Sequence, residues 1–137
     1  MTLLAKSLVI VGGIASIGFG AWHFFVPTAW RWYDYIAAEA TELVTAVRAI
    51  NVFFSLALVL FGIMNILLVY GDRSNRYSLA VVLAATSVLW LTRVALQILY
   101  PQGTLFPGLQ YGMLAAFGIV FLCYAVPLAG VLLQKGG

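Results

Sequence analysis

The sequence predicts an all-α integral membrane protein: an antiparallel four-helix bundle with an interfacial elbow between helices one and two. Three observations predict it. Charged residues make up 8% of the chain and hydrophobic ones 64%, whereas a soluble domain carries about 25% charged residues to keep its surface wet. Uncharged runs cover residues 7–30, 49–71, 77–92 and 102–134, and about 20 residues at ~1.5 Å rise cross a hydrocarbon core. Finally, the runs are apolar on most sides and lack the alternation of barrel strands. Only Arg93 interrupts the third run, and apolar sequence resumes to Tyr100. Residues 1–137 thus read as a single transmembrane domain, with spans at 7–27, 46–70, 77–100 and 108–133.

The first span follows Lys6 and contains Gly18-Phe19-Gly20, a small-x-small pattern of the kind cleaved from secretory signals. Its apolar run is longer than a signal core and bulky aromatics follow at once, so the segment is expected to stay. Residues 27–36 form the elbow. Trp30, Trp32, Tyr33 and Tyr35 suit an interface, where one end of the ring is wet and the other apolar. Residues 37–47 read as a helical lead-in to the second span. Glu39 and Glu42 lie near its start, where the helix dipole favours negative charge. Turn-forming residues 71–76 join spans two and three as a hairpin. Pro101 and Pro107 bracket the next loop, and Pro127 falls inside the fourth span, where membrane helices tolerate proline.

Charge orients the chain. Lys6, Asp72, Arg73, Arg76 and Lys135 collect on the side of the termini; Arg31, Asp34, Glu39, Glu42 and Arg48 collect on the other. Short cytoplasmic loops carry the excess of Lys and Arg. Both termini are therefore expected in the cytoplasm of a cell with a bacterial-type inner membrane. The formal charge of +3 follows from this topology, and no basic run suggests a nucleic-acid partner. The lone cysteine, Cys123, excludes an internal disulfide and reads as a small core residue.

Buried faces of membrane helices are marked by small and polar residues. Helix one presents Gly13, Ser16, Gly20 and His23, with Gly12 beside them. Helix two presents Arg48, Asn51, Ser55, Gly62 and Asn65, and helix three Thr86, Trp90, Arg93 and Gln97. Helix four offers only Gly112, Gly118 and Gly130. The glycines read as helix–helix contacts. The strongly polar members gather in the outer half, with Gln110 and Tyr111 opening helix four at that level. Arg93 lies about 10 Å below Tyr100 by helix rise. A charge at a helix centre costs about 2.5 kcal/mol or more, so Arg93 is expected to face His23, Glu42, Asn51 or Gln97. Snorkelling to the interface is the alternative.

Specific chemistry finds little support. His23 is the only histidine and offers one axial haem ligand, with Met113 as the sole second candidate at that level. No metal site is expected, because three or four His, Cys or carboxylate ligands do not converge. No nucleophile–base pair, phosphate loop or intramembrane acid is visible. The candidate ligand-binding residues are Arg93, Gln97, His23, Asn51 and Arg48, with Trp90 and Trp22 as apolar walls.

His23-Phe24-Phe25-Val26-Pro27 resembles the His-Phe-x-x-Pro pattern of DoxX-like small membrane proteins. Arg93-Val94-Ala95-Leu96-Gln97 is similar to that family's Arg-Leu-Pro-Leu-Gln, and Gly62 with Ile66-Leu67-Leu68 to its second span. Ala95 replaces the family's proline, and Leu58 stands where many relatives carry glutamate. The resemblance implies the four-helix fold. Some members resemble subunits of quinone-linked sulfur oxidation systems. The expected function is binding rather than catalysis: an outward-facing polar pocket for a quinone, a lipid-like amphiphile or a membrane partner. The alternative is a structural or accessory subunit of a membrane redox complex, or a homo-oligomer, with no ligand of its own.

Overall fold

A computed structural model describes residues 1–71 and 73–134. Asp72 and Lys135, two of the residues behind the charge argument, lie outside them. The elements in order are α1 (Leu3–His23), α2 (Val26–Ala29), a 3-10 turn (Trp32–Tyr35), α3 (Thr41–Tyr70), α4 (Arg76–Leu99) and α5 (Leu109–Leu133). The four helices α1, α3, α4 and α5 are long and apolar enough to cross a membrane. The chain is an integral membrane protein built as an antiparallel four-helix bundle.

Local chemistry explains the helix ends. α1 starts ahead of the apolar run because the Thr2 hydroxyl accepts the Ala5 N–H at 3.2 Å and caps it. Lys6 ends the hydrophobic stretch but not the helix. Pro27 lies in the first turn of α2, where its missing N–H costs nothing. Arg31 then turns the chain with a left-handed backbone, φ 54°, into the 3-10 turn. The elbow is thus two short helical pieces. The Arg31 guanidinium also pairs with the Asp34 carboxylate. α3 begins at Thr41, within the expected lead-in. Its 30 residues would reach about 45 Å, longer than the ~30 Å hydrocarbon core. α4 is capped by the Asn75 side chain, which accepts the Ser78 N–H at 2.7 Å. Arg76 reaches across from its first turn. Its Nε and Nη2 donate to the carbonyls of Val131 and Leu132 at 2.9 and 3.0 Å, satisfying the last turn of α5.

Exposed tyrosines mark two levels. Tyr70 and Tyr77 sit at the end that carries the α3–α4 turn; Tyr35, Tyr100 and Tyr111 sit at the elbow end. Along α4, Tyr77 and Tyr100 are about 34 Å apart by helix rise, close to the spacing of two interfacial aromatic belts.

The helices form a ring in which α1 touches α3 and α5, and α4 touches α5 and α3. The α1–α3 seam is tight because glycine lets the backbones meet. A Cβ on Gly20 would lie 2.6 Å from the Ser55 carbonyl, and one on Gly62 would lie 2.6 Å from the Gly13 carbonyl. On α5 the expectation fails. Nothing lies within 4 Å of a Cβ added at Gly112, Gly118 or Gly130. The buried face of α5 is instead Phe117, Val120, Cys123, Tyr124, Pro127 and Val131. Large side chains pack this seam, and small-residue counting does not detect them.

Three polar contacts tie the middle together. The Ser16 hydroxyl sits 2.8 Å from the Tyr124 hydroxyl and accepts the Trp90 indole N–H at 3.0 Å. Asn65 donates to the Thr86 hydroxyl at 2.7 Å. α3 and α4 meet least of the four neighbouring pairs, and the gap between them opens toward the elbow.

Candidate functional site

α4 positions the site. Its buried stripe runs Thr86, Trp90, Gln97, and Arg93 lies half-buried on the same side. Below Arg93, three aromatic rings form a floor. Phe19 is 5.5 Å from Trp90 and 5.3 Å from Phe117 between centroids, and Trp90 is 5.9 Å from Phe117. The guanidinium carbon stands 4.3 Å above the Phe117 centroid. A desolvated cation over a ring gains about 2 kcal/mol, comparable with the ~2.5 kcal/mol that an intramembrane arginine costs. The floor therefore makes this position tenable without a carboxylate.

The direct hydrogen bond of Arg93 goes outside the expected set. Its Nη2 donates at 2.7 Å to Oε1 of Gln102, a loop residue outside the predicted cluster. Among the described residues, no hydrogen bond or ion pair joins Arg93 to His23, Glu42, Asn51 or Gln97. His23 nevertheless lines the same cavity. This space of about 50 Å³ is lined by Phe19, His23, Phe54, Leu58, Trp90, Arg93 and neighbouring residues. It lies beside a larger groove of about 360 Å³ that includes Val47, Ile50, Asn51, Phe54, Leu96 and Tyr100. Arg93, His23 and Phe54 belong to both walls. The groove lies in the α3–α4 gap, near the elbow and the 101–106 loop.

The other expected residues divide. Asn51 is buried and donates to the His23 carbonyl at 2.8 Å, satisfying the end of α1. His23 stands edge-on to Phe54 at 5.1 Å, and its Nδ1 is buried without a hydrogen-bond partner. Gln97 is 2% exposed, and its amide holds the loop and the first turn of α5. Its Nε2 donates to the carbonyls of Gln102 and Gln110 at 2.9 and 3.2 Å, and its Oε1 accepts the Gln102 N–H at 3.4 Å. Trp90 is walled in beneath Arg93. Arg48 and Trp22 do not join the cluster. Arg48 is exposed and stands over the Tyr33 ring at 5.3 Å, anchoring the elbow to α3. Trp22 is 51% exposed and lines neither the cavity nor the groove.

Gln102, Phe19, Phe54 and Phe117 escaped the sequence reading. An aromatic residue in a membrane helix carries no sign of whether it faces lipid or protein. Gln102 had one weak signal: it is the sole amide side chain in a loop without charge. A wider space of about 870 Å³ lies between residues 29–35 of the elbow and the 101–106 loop; Trp32 and Gln102 stand between it and the groove. No protein-family model, no curated protein and no solved structure matches this chain.

Proposed function

We propose that the protein binds one amphiphile, quinone or lipid-like, in the groove between α3 and α4, with its head group at Arg93. One observation carries the reading. A guanidinium offers five N–H donors, and among the described residues Arg93 makes a single hydrogen bond, to Gln102. Arg93 itself lines both the groove and the smaller cavity. Ile50, Phe54 and Leu96 supply apolar surface for a chain or ring. Arg93, with His23 beside it, supplies donors for a carbonyl, carboxylate or phosphate oxygen. A quinone fits this donor set through a carbonyl.

A second reading has its own support. The Gln102 contact and the aromatic floor can hold Arg93 with no ligand, so the cluster would only lock the outer loop onto α4. The protein would then be a structural or accessory subunit, with a membrane partner or a second copy against α3 and α4.

The motifs around His23, Gly62 and Arg93 support placing the chain near DoxX-like proteins. The bias of Lys6, Arg73 and Arg76 supports cytoplasmic termini in a bacterial-type inner membrane, with the elbow outside. Reporter fusions at either end test this orientation, and an external C-terminus contradicts it. Native mass spectrometry of gently purified protein tests the binding. A discrete adduct that disappears in Arg93→Ala is expected; identical spectra would remove the amphiphile reading and favour the lock.

A further inference from the structure

We propose that the preferred ligand is a single-chain amphiphile with a carboxylate head group, which reaches Arg93 sideways from the bilayer and displaces Gln102. This rests on the amphiphile reading and narrows it.

Three features point to a carboxylate. The first is charge: Arg93 is the sole formal charge among the residues lining the cavity and the groove. A single anion adds a Coulombic partner to the aromatic floor, which a neutral head group does not. The second is size. A cavity holds a water once about 10–15 Å³ is open to it. The space of about 50 Å³ beside Arg93 therefore takes a group of a few heavy atoms, such as a carboxylate. The third is the donor geometry. Arginine meets a carboxylate through two parallel N–H bonds, and such charge-assisted pairs are about twice as strong as neutral ones. The present partner is a neutral amide, Gln102, on an exposed loop residue. A carboxylate outcompetes it for the same Nη2. Beside Arg93, Ile50, Phe54 and Leu96 offer apolar surface for one acyl chain. Its opening lies in the least packed seam of the bundle.

Displacement gives an unusual test, because Gln102 competes with the ligand. Radiolabelled palmitate is titrated onto the full chain in nanodiscs, with hexadecanol and a short-tailed quinone as competitors. Saturable palmitate binding is expected, with hexadecanol a poor competitor. Arg93→Ala weakens binding about tenfold or more and Arg93→Lys by less, from the strength of hydrogen bonds to charged groups. Gln102→Ala tightens binding, whereas a merely structural Gln102 predicts loss or no change. Gln102→Ala stays informative even where Arg93→Ala fails to fold. Palmitate binding that ignores Arg93, equal competition by hexadecanol, or a Gln102→Ala variant no tighter than the parent overturns the inference. Arg93-dependent binding of the quinone without palmitate overturns it too, but leaves the amphiphile reading standing. Binding of neither removes both.

Discussion

α3 has two seams, and they are built by opposite rules. Against α1 it offers Gly62, with Asn51 and Ser55 in the same buried stripe, and the backbones come within reach of one another. Against α4 it offers Phe54, Ala57 and Leu58, and the space opposite holds Trp90 and Arg93. The first seam has no room for a methyl group at its glycines. The second has a cavity, a groove and a cation. Close small-residue packing holds membrane helices together because lipid gives no hydrophobic drive for association. A seam that gives up this packing, and places a half-buried arginine in the gap, forgoes stability. Such a departure from consistent packing is where function is expected.

The comparison can be broken at either seam, and the largest effect is expected at the tight one. Gly20→Ala or Gly62→Ala should cost about 1–3 kcal/mol, occasionally more, since the new Cβ meets a carbonyl and the backbones must separate. Reversible unfolding in micelles measures this. Gly118→Ala is the control: nothing lies near its Cβ, so its stability should stay within about 0.5 kcal/mol of the parent.

The middle of the bundle comes next. Ser16→Ala removes the acceptor of the Trp90 N–H and the partner of the Tyr124 hydroxyl. Leaving buried polar groups unpaired costs about 1–3 kcal/mol, and membrane values fall toward the low end. The same unfolding assay reads it. A loss as large as that of Gly62→Ala would blur the distinction between the seam and the network.

The smallest effect is expected in the elbow. Arg31→Ala removes an exposed ion pair with Asp34, worth at most about 1 kcal/mol, and a residue whose backbone is left-handed. Global stability should barely change. Limited proteolysis would register any loosening of the elbow.

The sequence exposed the tight seam better than the open one. Gly13, Ser16, Gly20 and His23 recur at helical spacing, and so do Asn51, Ser55 and Gly62; polarity in an apolar run is a visible mark. The third stripe was equally visible, and it places Trp90, Arg93 and Gln97 on one side. The bounds of α4 and α5 follow the predicted spans, 77–100 and 108–133, to within a residue. α1 begins earlier than its run, because a cap and not hydropathy sets a helix start. The α5 face was illegible: a helix apolar all round has no periodic signal, and its glycines misled. The partner of Arg93 was hidden for another reason. Gln102 comes from a loop whose fold-back depends on Gln97 gripping its backbone, a tertiary contact with no sequence period. The gap itself is a property of how α3 and α4 diverge, and no single residue announces it.

The central claim is that the α3–α4 groove selects one amphiphile from the bilayer. Site-specific photocrosslinking tests it most directly, with a photoreactive residue at Leu96 in the groove and, separately, at Ile119 on the exposed face of α5. The account predicts one dominant adduct at position 96, absent when Arg93 is changed to Ala, and a mixture reflecting bulk lipid at position 119. The same lipid mixture at both positions, indifferent to Arg93, would contradict it.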